Sequence, residues 1–575
     1  MHGGDQLAEV LQANGVHSLY TLCGGHISPI LAGAKQRGIQ IIDVRHEVTS
    51  VFAADASARL SGLPGVAAVT AGPGLTNTIT AVKNAQLAQS PVIILGGAAP
   101  TVLKGRGALQ DIDQKSLMAP HVKSVHTVRR VRDLAPALEQ AFSHAREGVP
   151  GPVFIECPID LLYDESMIRG WYTQAGSGKS LAAKAMKLYL DYHLSRQFAP
   201  AKRAPSGTPA TVTGPAVDQA AIGRAGAALR RAKRPMLVIG SQALVQADRA
   251  AQLAAAVEEL GIPVYLSGMA RGLLGKSGRL HMRHKRRLAL KDADCVLLAG
   301  VPCDFRLDYG GHIGRKATYI GVNRSRHDLT MNRRPDIGVL GDAGDFIREL
   351  ARQHGALHET QSAWVQSLRE RDDEREVEIE REASAKTDYL NPIRLLKDID
   401  EVIADDSVII GDGGDFVATA SYTVRPRGPL SWLDPGAFGT LGVGAGFAIG
   451  ARRERPNAEV WVLYGDGAFG YSLIEFETFS RLGIPVIAVV GNDACWSQIA
   501  REQVKILQDD VGTRLAHTDY HEAAEALGGR GFLLKDPADT QDVLRAAKRE
   551  AASGKAVLIN ALIGSTSFRE GSISM

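Results

Sequence analysis

The sequence has few cysteines, no long apolar run and almost no net charge, and each of these absences excludes a class of protein. Its 575 residues include five cysteines with no Cys-x-x-Cys spacing, which argues against a disulfide framework and for reduced thiols in a cytoplasmic setting. No apolar run reaches the ~20 residues that span a bilayer. Residues 1–6 have neither a basic head nor an apolar core, so they do not resemble a signal peptide. We therefore expect a soluble, cytoplasmic protein that has no membrane partner.

The acidic and basic residues nearly balance. With 66 Lys and Arg against 63 Asp and Glu, the net charge is +3, whereas nucleic-acid-binding proteins concentrate a basic excess on one face. The strongest basic cluster, residues 283–287, is short, and we expect it to be solvated surface. The segment 369–382 is almost continuously charged, which predicts an exposed helix with ion pairs between residues four apart. No nucleic-acid partner is predicted.

Short apolar, β-branched runs alternate with helical patterns such as residues 48–61 along the whole chain. This alternation is typical of parallel α/β sheets. The predicted strands are 18–22, 39–44, 66–70, 91–95 and 153–156 in a first block, 236–239, 263–266, 295–299 and 318–322 in a second, and 408–410, 460–464, 486–490 and 556–561 in a third. The chain is therefore predicted to form three doubly wound parallel-sheet domains. The strand–helix rhythm of the two outer blocks is comparable, which suggests related sheets.

Composition shifts set the expected boundaries between these domains. Residues 181–198 have an amphipathic helical pattern and residues 199–215 are rich in Pro, Ala, Gly and Thr, so this region is predicted to be a linker. The tail has no core pattern, and it is predicted either to be disordered or to close over the active site. The predicted organisation is a first domain at 1–164, a linker at 165–217, a middle domain at 218–355, a charged linker helix at 356–390, a third domain at 391–563 and a C-terminal tail at 564–575.

One motif in the third block points to chemistry. Gly465-Asp466-Gly467 directly follows a predicted strand, and 24 residues separate it from Asn492-Asp493 at the end of the next strand. A Gly-rich turn exposes backbone N–H groups to which a diphosphate can bind. Neighbouring strands of a parallel sheet bring their carboxyl ends together, and side-chain oxygens there suit an octahedral Mg²⁺ ion. The spacing predicts a site for a diphosphate and a divalent cation.

This motif resembles the diphosphate-binding motif of thiamine-diphosphate enzymes, and the three-block plan is similar to their pyrimidine-binding, middle and diphosphate-binding domains. The resemblance covers essentially the whole chain and implies thiamine diphosphate and Mg²⁺ as cofactors. The family usually has two asparagines where this chain has Asn492-Asp493. Counted from Asp466, the second metal ligand falls on Asp493, and Cys495 contributes a backbone carbonyl. The choice between Asn492 and Asp493 as that ligand stays open.

The resemblance also implies a glutamate in the first domain that hydrogen-bonds the aminopyrimidine ring and promotes formation of the reactive carbanion. Glu47 matches it. Leu441 matches the apolar residue that forces the cofactor into its V shape, and Gly439 matches the carbonyl that accepts from the 4′-amino group. The residues expected to contact the cofactor are Glu47, Gly413, Gly414, Asp415, Gly439, Leu441, Gly465, Asp466, Gly467, Ala468, Asn492 and Cys495. The expected metal ligands are Asp466, Asp493, Asn492 and Cys495.

Three features bear on the reaction. His26 resembles the active-site histidine of benzaldehyde lyase and related enzymes that cleave 2-hydroxy ketones. A histidine near its ordinary pKa of ~6.5 takes and returns a hydroxyl proton. Gln110 matches a glutamine of the same group that orients substrate. Gly413 and Gly414 are expected to leave open space over the thiazolium, where acetolactate synthases have bulkier groups.

Across its length the chain resembles the acetolactate-synthase-like branch of the 2-hydroxyacyl-CoA lyases. The segments that carry the resemblance are 21–29, 45–62, 70–78, 433–448 and 464–479. The resemblance implies cleavage of a 2-hydroxyacyl-CoA to formyl-CoA and an aldehyde one carbon shorter, reversible as an acyloin condensation. It implies acyl-CoA and aldehyde substrates and a homodimer or homotetramer with active sites between chains. Acyl chain length, preferred direction and the need for the thioester stay open.

Two other thiamine-diphosphate reactions remain alternatives, namely acetolactate synthase, which uses FAD, and oxalyl-CoA decarboxylase. The segments around Arg271 and Arg324 lie where relatives hold an adenine nucleotide, and an empty site stays open as an alternative. For an occupied site we favour an ADP-like ligand or the CoA nucleotide over FAD. Arg569 in the tail is a candidate contact for a CoA phosphate.

Overall fold

The computed structural model describes residues 2–175, 180–199 and 215–570. Within these residues, eighteen strands form three six-stranded sheets, and the ladders between named strands are parallel. The predicted fold class, three parallel α/β sheets, is confirmed. Parts of two predicted segments, residues 176–179 and 200–214 of the linker and 571–575 of the tail, lie outside the described residues.

The first sheet has the strand order β2-β1-β3-β4-β6-β5. Its strands are β1 Ser18–Thr21, β2 Gln40–Asp43, β3 Gly65–Val69, β4 Val92–Ala98, β5 Ser124–Thr127 and β6 Val153–Pro158. The helices of this part of the chain are α1 Gly3–Ala13, α2 Ser28–Gln36, α3 Glu47–Ser61, α4 Pro73–Thr76, α5 Ile79–Ala88, α6 Gln114–Met118, α7 Leu134–Arg146, α8 Glu165–Ala175 and α9 Leu181–Gln197. Strands β3, β4 and β6 are buried throughout, as expected for parallel strands that helices cover on both faces.

The middle sheet has the order β12-β11-β10-β7-β8-β9. Its strands are β7 Pro235–Ile239, β8 Val264–Leu266, β9 His281–Met282, β10 Cys295–Ala299, β11 Thr318–Asn323 and β12 Ile337–Leu340. The helices are α10 Gln219–Arg231, α11 Ala250–Leu260, α12 Arg286–Asp292, α13 Arg326–Thr330, α14 Ala343–His354 and α15 Ala363–Ala383. The strand order reverses between β7 and β10, which is the switch point where doubly wound sheets commonly bind ligands.

The third sheet has the order β14-β13-β15-β16-β18-β17. Its strands are β13 Val408–Asp412, β14 Trp432–Leu433, β15 Val460–Gly465, β16 Ile487–Asn492, β17 Arg530–Leu534 and β18 Val557–Leu562. The helices are α16 Pro392–Val402, α17 Gly414–Thr423, α18 Gly444–Glu454, α19 Asp466–Phe469, α20 Glu475–Leu482, α21 Ser497–Leu507, α22 Tyr520–Ala526 and α23 Thr540–Ala552. The first and third sheets share one strand order, second-first-third-fourth-sixth-fifth, so the suggestion that they are related is supported.

The chain divides into two compact units. The first comprises residues 1–58 and 63–213 and holds the first sheet, and the second comprises residues 59–62 and 214–575 and holds the other two. The predicted domain boundaries stay a prediction. All five cysteines are free thiols, as expected. Across the described residues, no helix is both long and apolar enough to cross a membrane.

The basic cluster at 283–287 is not solvated surface, so that prediction is wrong. Arg283 and His284 both contact Glu376 of α15, at 2.8 and 3.0 Å. Asp372 of α15 accepts hydrogen bonds from the backbone N–H groups of the same two residues, and His284 is buried. The helix predicted at 369–382 is present, and Arg375 pairs with Glu378 along it at 2.8 Å, whereas Asp372 and Glu376 pair with another element. Opposite charges that neutralise each other can be buried together.

Candidate active site

A cavity of about 240 Å³ lies where β13, β15 and β16 reach their carboxyl ends. Most of the residues that the sequence assigned to the cofactor and the metal line this cavity. These lining residues are Gly414, Asp415, Gly439, Leu441, Gly465, Asp466, Gly467, Ala468, Asp493 and Cys495. Helices α17 and α21 begin at the cavity wall, because Gly414 and Ser497 are their first residues. Two helix N-termini carry partial positive charge and favour an anion such as a diphosphate.

Glycines allow the strand ends at this cavity to approach one another. A Cβ added to Gly467 would lie 2.4 Å from the indole ring of Trp496. Gly413 has φ of +72°, and a Cβ there would lie 2.4 Å from Leu441 and 2.8 Å from Ala468. A side chain at Gly413 would therefore meet Leu441 and Ala468. The expectation of open space over the thiazolium at Gly413 and Gly414 stays a prediction. Gly414 is less confined, since its nearest neighbour would be the Cα of Gly465 at 3.5 Å.

Asp466 presents an unsatisfied oxygen in this cavity. Its Oδ1 accepts a hydrogen bond from the backbone N–H of Gly467 at 2.8 Å, whereas its buried Oδ2 has no hydrogen-bond partner among the described residues. Burial, and then the negative charge of Asp493, raise the pKa of Asp466 to about 7. A buried carboxylate with a free oxygen beside a second carboxylate fits a divalent cation. The described residues contain no cluster of three His, Cys, Asp or Glu side chains able to hold a metal, so phosphate oxygens would have to complete the coordination.

Asn492 and Asp493 have different surroundings. Asn492 is fully buried at the end of β16, and its Nδ2 donates to Asn560 Oδ1 at 3.0 Å and to the Thr518 carbonyl at 3.3 Å. Asp493 lines the cavity and accepts a hydrogen bond from the Ser497 hydroxyl. Burial raises the pKa of Asp493.

Asp412 is a residue of this site that the sequence did not single out. It is fully buried at the end of β13, and its two oxygens accept hydrogen bonds from the backbone N–H groups of Gly442 at 3.0 Å and Gly444 at 2.8 Å. Burial raises the pKa of Asp412 to about 7. The carboxyl group thus fixes the loop that carries Leu441. Its position directly before Gly413-Gly414 was the one available signal.

In the first unit, Glu47 is the first residue of α3 and is buried. Its Oε2 accepts a hydrogen bond from Asn77 Nδ2 at 2.9 Å. A Cβ added to Gly74 would lie 3.6 Å from the other oxygen, Oε1. The Pro-Gly turn of α4 therefore lies beside Glu47 and leaves Oε1 without a bulky neighbour from that side. Asn77 falls in a segment that resembles the family, but its sequence gave no indication of this contact.

His26 lies in the same unit, after β1. Its Nδ1 is 3.1 Å from Thr70 Oγ1, and burial lowers its pKa. The side chain of Thr70 also leaves no room for a side chain at two glycines, because a Cβ at Gly24 or Gly74 would lie 2.4 or 2.6 Å from it. Thr70 therefore lies between His26 and the turn that borders Glu47.

Gln110 and Gln114 both lie beside Gly72. Gln110 has φ of +61°, and its carbonyl oxygen would lie 2.8 Å from a Cβ at Gly72. Gln114 is buried, accepts from the Gly72 N–H at 3.1 Å and donates to the Gly97 carbonyl at 3.0 Å. The sequence singled out Gln110 and missed Gln114, which stabilises this loop.

The candidate phosphate-binding arginines are partly engaged elsewhere. Arg324 forms a buried ion pair with Asp342 at 2.7 Å. Arg271 donates to the Ser421 carbonyl at 3.0 Å and lines a second cavity of about 410 Å³, which Gly413, Gly439 and Leu441 also line.

In the described part of the tail, Phe568 packs against Ile379, Ala383 and Ile393. Arg569 Nε lies 3.8 Å from Asp415, and its guanidinium lies over the Tyr422 ring. Residues 567–569 are therefore docked on the second unit.

Three family models match the chain. Their descriptions are the N-terminal TPP binding domain, the central domain and the C-terminal TPP binding domain of thiamine pyrophosphate enzymes, and they match residues 1–117, 222–350 and 412–561. The "2-hydroxyacyl-CoA lyase 2" of Danio rerio is 52% identical over 581 residues, which cover all of this chain and 93% of that protein. The protein of the same name from Homo sapiens is 51% identical over 582 residues, with coverage of 100% and 92%. A "Probable acetolactate synthase" of Mycobacterium bovis is 33% identical over 566 residues, with coverage of 98% and 96%.

The chain therefore belongs to the thiamine pyrophosphate enzyme family, and within it to the group of the 2-hydroxyacyl-CoA lyases. The prediction of a thiamine-diphosphate-dependent enzyme of this type is confirmed, and acetolactate synthase is a more distant relative.

Proposed function

We propose that the protein cleaves the C1–C2 bond of a 2-hydroxyacyl-CoA to formyl-CoA and an aldehyde one carbon shorter, and that it runs in reverse as an acyloin condensation. The observation that carries the proposal is the position of His26, a histidine of lowered pKa held against Thr70. A hydroxyl group at C2 is the substrate feature that needs such a base. The names of the full-length relatives support the substrate class.

Thiamine diphosphate, when bound, supplies the electron sink for the breaking carbon–carbon bond. Oε1 of Glu47 would share a proton with a ring nitrogen of the cofactor, because Oε2 already accepts a hydrogen bond from Asn77. Asp466 through its free Oδ2, Asp493 and the Cys495 carbonyl would hold Mg²⁺, and the ion would supply positive charge for the diphosphate. We favour Asp493 over Asn492 as the second ligand, because Asp493 lines the cavity and Asn492 does not.

His26 acts as the base in the cleavage direction. Burial lowers its pKa, so the imidazole is neutral at pH 7 and able to accept a proton. Nδ1 contacts Thr70, which leaves Nε2 for the substrate. Nε2 takes the 2-hydroxyl proton while C2 becomes the aldehyde carbonyl and the C1–C2 bond breaks. C1 receives one proton and becomes the formyl group, so the overall reaction neither consumes nor releases protons. Gln110, near Gly72, is proposed to orient the substrate.

Three further properties belong to this proposal. Free cysteines throughout support a reducing, cytoplasmic compartment. The family resemblance supports a homodimer or homotetramer. The cavity beside Arg271 and Arg306 supports an ADP-like ligand or the CoA nucleotide near the middle sheet.

The experiment supplies purified protein with thiamine diphosphate, Mg²⁺ and 2-hydroxyacyl-CoAs of several chain lengths, and measures aldehyde and formyl-CoA together. Pyruvate and oxalyl-CoA are tested in parallel. Glu47→Gln is expected to lower cleavage by ~10²- to 10⁴-fold, and Glu147→Gln, at an exposed position of the same unit, is the matched control. Turnover of pyruvate or oxalyl-CoA without cleavage of any 2-hydroxyacyl-CoA would overturn the substrate assignment. Full activity of Glu47→Gln would overturn the chemistry.

A further inference from the structure

Helix α9 has two faces that differ in burial, and the described residues cover only one of them. Leu194 and Gln197 are buried against the first unit, and Gln197 Nε2 donates to Asp160 Oδ2 at 2.9 Å. The opposite face carries Leu181, Leu188 and Tyr192, which are 87%, 73% and 61% exposed. An apolar face of this extent on a single exposed helix usually marks an interface.

The exposed residues follow a heptad spacing. Leu181, Ala185, Leu188 and Tyr192 are separated by four, three and four residues, which is the spacing of the d and a positions that form a coiled-coil seam. Ala185 is also exposed. The stripe is self-complementary when two helices run antiparallel, because Leu181 then faces Tyr192 and Ala185 faces Leu188 of the other helix. A second copy of this chain therefore matches the stripe.

Charges beside the stripe favour the same arrangement. Lys184 and Asp191 both occupy g positions of this heptad, and in an antiparallel pair g positions face each other. Lys184 of one copy then lies opposite Asp191 of the other, twice by symmetry. Asp191 is 51% exposed, and its ion pair with Arg169 of α8, at 3.7 Å, is long. The acidic group is thus accessible to a second cation.

From the stripe and its flanking charges we propose that α9 is a contact between two copies of this chain, paired antiparallel about a two-fold axis. The neighbouring helix α8 also exposes apolar side chains, since Met167 and Trp171 are 43% and 47% exposed, and it contacts α9 where Arg169 donates to Ser195 at 3.5 Å. This contact is independent of the reaction assigned above.

Parallel pairing makes a different prediction. In a parallel pair a g position faces the following e position of the other helix, so Asp191 would face Arg196 and Lys184 would face Tyr189. Reversing the charge of Lys184 would then weaken the pairing little, and reversing the charges of both Lys184 and Asp191 would not restore it. Charge reversal therefore distinguishes the two orientations.

The test measures the mass of the full-length protein by sedimentation over a range of concentrations. Leu188→Glu is expected to halve the assembly mass or to raise its dissociation constant at least tenfold. Lys184→Asp and Asp191→Lys are each expected to weaken the assembly, because each places like charges opposite one another, and the double variant is expected to restore it. Lys187→Asp, which makes the same charge change on α9 outside the stripe, is the control and should leave the mass unchanged.

Three outcomes overturn the proposal. An unchanged mass in Leu188→Glu excludes the contact, and binding of the wild type to vesicles of anionic lipid that Leu188→Glu abolishes would assign the stripe to a membrane surface instead. Failure of the double variant to restore the mass, with both single variants folded by circular dichroism, excludes the antiparallel pair. Cleavage activity is recorded in parallel, so a failure of the proposed reaction is seen separately.

Discussion

Asp412 accepts a hydrogen bond from the backbone N–H of Gly444 at 2.8 Å through one carboxyl oxygen, while its other oxygen accepts from Gly442 at 3.0 Å. The carboxyl group is fully buried at the end of β13. It therefore connects the first strand of the third sheet to the loop that carries Leu441. Because Leu441 lines the cofactor cavity, the shape of that cavity depends on this carboxyl group.

Asp412→Asn tests this dependence. An amide has one acceptor oxygen and an NH₂ donor, so one of the two glycine N–H groups would face another donor. We expect the free energy of unfolding to fall by ~1–3 kcal/mol, the cost of leaving a buried donor unsatisfied, and thiamine diphosphate to bind more weakly. Urea unfolding and a tryptophan-fluorescence titration with cofactor measure the two effects. Asp405→Asn, at an exposed position, should change neither.

The same residue predicts a dependence of stability on pH. Burial raises the pKa of Asp412 from 3.8 to about 7, so between these values the folded protein holds a proton that the unfolded chain has released. The contribution of Asp412 to stability is therefore fully present below pH ~4 and is lost as pH rises to ~7. Asp412→Asn cannot titrate, so its stability should fall less than that of the wild type across this range. Urea unfolding of both proteins at several pH values measures the difference. An equal change in the free energy of unfolding with pH in the two proteins would contradict the prediction.

His26 predicts the pH dependence of cleavage. Burial lowers its pKa, so we expect the acid limb of kcat to lie below the ordinary histidine value of ~6.5. His26→Gln should lower kcat by ~10²- to 10⁴-fold and remove this limb, while cofactor binding is retained. The measurement is a pH series of initial rates with saturating substrate. His17→Gln, at an exposed position of the same unit, is the control, and an acid limb that persists in His26→Gln would assign it to another group.

The sequence predicted the interior strands of each sheet and one edge strand, β2, but it missed the other five edge strands. The strands not predicted, β5, β9, β12, β14 and β17, all lie at sheet edges. Four of them mix buried positions with partly or fully exposed ones or have no buried position, and β14 has only two residues. Continuous apolar runs identify strands that helices cover on both faces, and edge strands need no such run.

The candidate site shows a similar division. The residues that carry the chemistry, such as Glu47 and Asp466, stand in motifs that the sequence displays. The sequence did not single out the partners that support the site. Asn77 contacts Glu47 from 30 positions away, and Thr70 contacts His26 from 44 positions away. The closeness of Leu441 and Ala468 to Gly413 was not predicted, because the sequence does not show which side chains lie there. Such contacts depend on tertiary packing, which one sequence does not reveal.

Asp493→Asn tests the second metal ligand. The charge of Asp493 contributes to the raised pKa of Asp466, so its removal should relieve repulsion and stabilise the protein without metal. Mg²⁺ should bind about tenfold more weakly, a change of ~1.4 kcal/mol, because one anionic ligand becomes neutral. Calorimetric titration with Mg²⁺ in the presence of thiamine diphosphate measures the affinity, with Asp405→Asn as the control. An affinity that stays within twofold would favour Asn492 as the ligand.

Gly413→Ala tests the packing around Gly413, where Leu441 and Ala468 lie close to the position of an added Cβ. Gly413 has φ of +72°, and the added methyl would lie 2.4 Å from Leu441 and 2.8 Å from Ala468. Gly483 also has positive φ, +60°, but a Cβ there meets no described atom within 4 Å, so Gly483→Ala carries the backbone cost alone. We expect both variants to lose ~1 kcal/mol of stability from backbone strain, and Gly413→Ala to lose a further ~1–3 kcal/mol from overpacking. Urea unfolding measures the losses. Weaker binding of thiamine diphosphate is expected only in Gly413→Ala, and equal losses in both variants would show that Leu441 and Ala468 can move aside.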